Sequence, residues 1–138
     1  MKKALFFIAS IVMMVFAASA LTGCTKEESK MVLQVGSVID CSTNISTQTE
    51  QIVKNANKRL DDRLKSMFGE TFAVKPNDQG DIDKETQDSF NSQIDNDSEI
   101  KNIVNELRQL KDEYDYNAVS EISFVFFSGT ARIWTHSY

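Results

Sequence analysis

The spacing of apolar residues changes period several times along the chain, and each change marks an element. Over residues 31–41 the apolar set Met31, Val32, Leu33, Val35, Val38, Ile39 and Cys41 is rich in β-branched side chains. The run is too short and interrupted for a helix, so it predicts a strand, with a bulge at Gly36. A polar turn over 42–46 follows. Thr47 and Glu50 have the spacing of a capping box, which opens a helix over 48–68. Ile52, Ala56, Leu60, Leu64 and Phe68 recur every fourth residue, Val53 and Met67 widen the stripe, and Gly69 stands where a C-terminal glycine is wanted. Lys58 with Asp62 and Asp61 with Lys65 sit one turn apart on the polar face.

Residues 70–75 alternate around Phe72 and Val74, a short strand stopped by Pro76, and 77–81 form a loop around Gly80. A weaker helix spans 83–94 with Phe90 and Ile94 on one side. Residues 95–98 interrupt the helical pattern, and Asp97 or Ser98 caps a stronger helix whose apolar face is Ile100, Ile103, Val104, Leu107, Leu110 and Tyr114. After a turn over 115–118, Ile122, Phe124, Val125, Phe126 and Phe127 make the most apolar strand of the region, apolar on both faces and therefore central or covered by a partner. Ser128-Gly129 predicts a hairpin into a last strand over 130–136, the alternative being one long strand bulged at Gly129. The order strand, helix, strand, helix, helix, strand, strand predicts an α+β fold: a small, mostly antiparallel sheet of three to four strands with two to three helices on one face.

Ahead of this region lies a different pattern. Lys2 and Lys3 precede residues 4–20, apolar except for Ser10 and Ser19 and ending in small residues, the layout of a cleaved secretory leader rather than a membrane span. Leu21-Thr22-Gly23-Cys24 then resembles the lipobox of bacterial lipoproteins. The resemblance implies diacylglycerol on the Cys24 thiol, cleavage after Gly23 by signal peptidase II, and acylation of the new amino group. Two or three long chains anchor firmly where one holds only marginally. Cys24-Thr25-Lys26-Glu27-Glu28 resembles the surface-export signal of Bacteroidota lipoproteins, and Thr25 is not the aspartate that retains lipoproteins at the inner membrane in enteric-type bacteria. A solvated charged tether is the simpler alternative. The chain is thus divided into a signal peptide at 1–23, a lipidated cysteine and tether at 24–30, and one domain at 31–138.

Cleavage leaves 115 of the 138 residues, enough for one small domain. Loss of Lys2 and Lys3 leaves 13 basic against 20 acidic residues, a net charge of −7. That balance argues against nucleic acid as a partner, because phosphate binding needs a basic surface. Lipidation of Cys24 leaves Cys41 as an unpaired thiol, buried as a small apolar side chain or available to another chain; Val38 and Ile39 beside it favour burial.

Candidate chemistry is sparse. Cys41 and His136 lie near strand ends, but nothing beside Cys41 marks an activated thiolate and no glycine-rich elbow surrounds a serine. The loops Asp81-Ile82-Asp83 and Asp95-Asn96-Asp97-Ser98-Glu99 space oxygen ligands as calcium loops do. Ile100, however, stands where the turning glycine belongs, and helix capping accounts for these acids more simply. No cofactor motif and no catalytic constellation is present, so an enzyme is not expected.

Arg132, Trp134, His136 and Tyr138 alternate along the last strand and are expected on one face, opposite Ala131 and Ile133. Such a face can stack on sugar rings or anchor a protein. The alternative places Trp134 in the core with Arg132 over its ring. The expectation is therefore an exported lipoprotein, anchored in the outer membrane by its lipid and facing the periplasm or the cell surface. Its small noncovalent binding domain would serve as an accessory or interaction subunit for an envelope protein. A carbohydrate-binding surface lipoprotein using the Arg132/Trp134/His136/Tyr138 face is the second reading.

Overall fold

A computed structural model describes residues 30–42, 44–113 and 118–138. The expected leader, Cys24 and the expected tether up to residue 29, together with Tyr114 and residues 115–117 of the expected turn, lie outside the described residues.

The elements run β1 (Met31–Cys41), α1 (Thr47–Phe68), β2 (Phe72–Val74), α2 (Lys84–Asn96), α3 (Ser98–Glu113), β3 (Val119–Ser128) and β4 (Ala131–Ser137). They build the α+β fold expected from the sequence: one antiparallel four-stranded sheet, ordered β2-β1-β3-β4, and three helices. β3 is central, as its two apolar faces require. Pairing runs unbroken through Gly36, which faces Val125, so the predicted bulge is absent there; the register instead shifts at Asp40/Cys41.

Two-residue periodicity divides each strand between two faces. On the helix side Leu33, Phe124 and Phe126 are fully buried and Ile122 nearly so. α1 packs against β1 and α3, and α3 against β3. Val53, Ala56, Leu60 and Leu64 meet Ile100, Ile103, Val104 and Leu107 over the sheet in one cluster. A second cluster of Leu33, Val74 and Ile82 closes the β2 end. There the loop after β2 folds back on itself, with Asn77 Oδ1 accepting from the backbone N–H groups of Gln79 and Asp81. Phe68, Phe72, Phe90, Phe126 and Trp134 form a connected aromatic group joining α1, β2, α2, β3 and β4.

Local chemistry departs from the pattern in three places. Ser46, not Thr47, caps α1: its hydroxyl accepts from Thr49 N–H, while Glu50 pairs with Lys54 rather than reaching back. Asp61 does not join Lys65. It turns to the sheet and accepts from Ser37 N–H and Ser37 Oγ. β2 spans only three residues and pairs with Met31, Val32 and Leu33, so Ser37 lies on a length of β1 edge without a neighbouring strand, where Asp61 satisfies its amide and blunts the edge. Lastly, the interruption between α2 and α3 is one residue, Asp97. Its backbone N–H closes α2 on Ile94, and its carboxylate caps α3 at Ile100 N–H.

Asp97 is also gripped from α1 by Arg63, through hydrogen bonds of 2.6 and 3.1 Å. One residue thereby ties three helices together. The Arg63 hydrogen bonds, followed by that of Ile100 N–H, outweigh its burial and hold the Asp97 carboxyl below the usual carboxylate range.

Leu60 is fully buried between the helices and the sheet, and Leu60→Ala is expected to lower unfolding free energy by about 3 kcal/mol in a denaturant titration. Because the Asp97 pKa is depressed in the folded protein, its contribution is complete above the unfolded value near 4 and is lost as pH falls through the lower folded value. Stability should therefore decline below about pH 4. Asp97→Asn, which keeps a capping oxygen but cannot titrate, should flatten that acid limb in melting temperatures measured from pH 2 to 5.

Candidate functional site

β4 does not present its four candidate side chains together. Phe126 pairs with Trp134 but Phe127 pairs with Arg132, a register shift that leaves Ile133 as the extra residue of β4. Cross-strand partners share a face and consecutive residues do not. Trp134, His136 and Tyr138 are therefore on the helix side and Arg132 on the other, which corrects the expectation of a common face. The hairpin loop is also one residue later than expected: Ser128 pairs with Ala131 across Gly129-Thr130, and Gly129 takes the positive φ of 60° that the tight turn requires.

The three helix-side residues are engaged in packing. Trp134 stacks on Phe126 with centroids 3.9 Å apart and planes 8° from parallel, and its indole N–H donates to Asn91 Oδ1. His136 Nε2 lies 2.8 Å from Asp95 Oδ1. Tyr138 meets Phe124 edge to face, and the guanidinium over its ring is that of Arg108, not Arg132. Burial, then the nearby Asp95, pushes the Tyr138 hydroxyl pKa up. Asn91 to Asp95 advances about 6 Å along a helix and Trp134 to His136 about 6.7 Å along a strand. These nearly equal steps let successive β4 side chains meet successive turns of α2, making β4 a clasp across the helices. The four-residue spacing of Asn91 and Asp95 was visible in the sequence, but nothing there indicated β4 as their partner.

The remaining candidates separate. Cys41 pairs with Val119 and His136 with Phe124, five residues apart on β3 and so about 16 Å along the sheet; they do not form a dyad. Burial, reinforced by Asp40, raises the Cys41 thiol pKa, the opposite of activation. Of the calcium-loop acids, Asp83 caps α2 at Thr86 N–H and Asp97 is taken by Arg63 and α3. Among the described residues no three His, Cys, Asp or Glu side chains are grouped to hold a metal.

Among the described residues no helix covers the other face of the sheet. Val32 and Val38 on β1 and Val125 and Phe127 on β3 belong to neither core cluster, and Val32 and Val38 are 51% and 48% exposed. The Phe127 ring leans over Gly36, where an added Cβ would stand 3.7 Å from Cε1. Phe127 is thereby half-buried without any helix above it. The same face carries Gln34, Ser123, Arg132, Thr135 and Ser137, with the cross-strand pair Asp40 and Glu121 at one end. Periodicity identified these residues as apolar; only the helix positions reveal that no described helix covers them.

No family model, curated protein or solved structure matches this chain, so the residues themselves carry the functional assignment. If Trp134 serves packing, Trp134→Ala should destabilise the protein by about 3 kcal/mol. The fluorescence of this single tryptophan should not respond to simple sugars at millimolar concentration. A folded Trp134→Ala protein that loses sugar binding would reverse that assignment.

Proposed function

We propose that the protein is an exported, lipid-anchored lipoprotein of the bacterial envelope, at the outer membrane or cell surface. Its domain works by noncovalent docking, as an interaction or accessory subunit. The observation that carries the docking assignment is the set of apolar side chains Val32, Val38, Val125 and Phe127, standing among Gln34, Ser123, Thr135 and Ser137 on the sheet face opposite the helices. An antiparallel sheet tolerates one wet face, which ordinarily carries alternating polar residues, and valines half exposed in mid-strand are what a docking partner would cover. The lipobox at residues 21–24 supports the anchor and places the domain where an envelope partner is concentrated. Because the rings of Trp134 and Tyr138 pack against Phe126 and Phe124, the sheet face is preferred over a sugar platform on β4.

The test is affinity purification of the full chain from mildly solubilised envelopes, with Val38→Glu beside it. Such a substitution at a half-exposed position should change stability by less than about 1 kcal/mol and should abolish stoichiometric capture of the partner. Capture that survives both Val38→Glu and Val32→Glu would exclude this face. Separately, Cys24→Ala should move the protein out of the membrane fraction; firm retention there would contradict the lipid anchor.

A further inference from the structure

The open face of the sheet is not uniform along its length. The register sets Val32 opposite Ala73 of β2, and Gln34, Phe127 and Arg132 in one row across β1, β3 and β4. The alternation that puts Val32 and Ala73 on this face puts Lys30 and Lys75, just outside the first pair Met31 and Val74, on it as well. Lys30, Lys75 and Arg132 are all exposed, and so are Val32 and Ala73 among them. The next rows carry Gly36, Val125 and Thr135, then Val38, Ser123 and Ser137. Acids are first met on the face at Asp40 and Glu121, and Asp40 is about 33 Å along β1 from Lys30. One half of the face is therefore cationic and apolar, and the other is mixed, with acids at its far end.

Chain connectivity decides what the cationic half meets. Lys30 is six residues beyond Cys24, and six residues reach at most about 22 Å when fully extended. A lipid on Cys24 therefore confines the Lys30 end of the sheet to the neighbourhood of the headgroups, while Asp40 and Glu121 stand clear. Ammonium and guanidinium groups pair with lipid phosphates, and the valine and the Phe127 ring among them meet the acyl boundary as the apolar side of an interfacial element does. The loop over 77–83 lies at the same end and carries Asp78, Asp81 and Asp83, but it leads to the helix side, where Ile82 packs with Leu33 and Val74. Asp81 lines a cleft beside Arg132. These acids would meet the phosphates if the domain stood on its end, so the domain leans toward its open face instead. We propose that it rests on the anionic phospholipid headgroups of the membrane holding its anchor, through Lys30, Val32, Ala73, Lys75, Phe127 and Arg132. Val38, about 20 Å farther along β1 than Val32, is then turned away from the lipid and toward an envelope partner. The proposal rests on the lipid-anchor reading and adds the orientation of the domain to it. Three cations alone hold a protein only loosely at an anionic surface; beside an anchor the contact is intramolecular and sets orientation.

The experiment places the intact lipoprotein in phosphatidylcholine vesicles with or without phosphatidylglycerol. Cys41→Ser removes the native thiol, and a fluorophore is attached through Gln34→Cys on the leaning half or through Gln51→Cys at an exposed position near the start of α1. Quenching by a lipid carrying a nitroxide at its headgroup reports proximity, and circular dichroism confirms the fold of each variant. With phosphatidylglycerol present, the Gln34 position should be quenched about threefold more than the Gln51 position. Lys30→Glu combined with Arg132→Glu should remove that difference, as should high salt or omission of phosphatidylglycerol. Lys58→Glu, on the helix side, should leave it unchanged. Equal quenching at the two positions from the outset would overturn the orientation, as would a difference indifferent to both lipid charge and the reversals. Flotation of the same samples with the vesicles separates this result from the anchor. A chain that floats with Gln34 and Gln51 equally quenched keeps the anchor and ends the orientation; a chain that does not float contradicts both.

Discussion

Phe124 and Phe126 must be removed from water on one face of the central strand, and the rest of the structure is arranged to do so. Both are fully buried, and such rings contribute more through burial than any polar contact here. β1 and β4 flank them, α1 and α3 lie above them, and Trp134 and Tyr138 close over their rings from the edge. With three helices in one layer, only one face of the sheet is covered by described residues. The one-sided core and the open face therefore have a common cause.

Polar contacts then select which helical arrangement covers that core. Asp97 ends α2, begins α3 and is held by Arg63 of α1, a connection that fixes the mutual orientation of helices whose apolar stripes alone would permit sliding. Ser37 and Asp61 act similarly between β1 and α1 and prevent the bare edge of β1 from pairing with another strand. Of the acidic residues that suggest a cation site in the sequence, Asp83 and Asp97 are thus used as caps, and Asp95, Asp97 and Glu99 as cross-links.

The division of labour between the sheet faces underlies the function assigned here. One face is filled by aromatic packing, including the β4 residues that otherwise resemble a binding platform. The other keeps half-exposed valines and a ring over Gly36 among polar neighbours.

By itself, the sequence determined the order of elements, the apolar stripes of α1 and α3 and the α+β class. These depend on residue spacing within each element, a local property. The proposed lipid anchor likewise rests on residues 21–24 alone, independently of the fold. Only the tertiary structure decided that Ile133 is an extra residue on β4, which sends Arg132 to one face and Trp134 to the other. It also joined Asn91 to Trp134, Asp95 to His136 and Arg63 to Asp97, and left Val32 and Val38 in the open. Those outcomes follow from register and from which helix reaches which strand, set by contacts between residues tens of positions apart that no local period encodes.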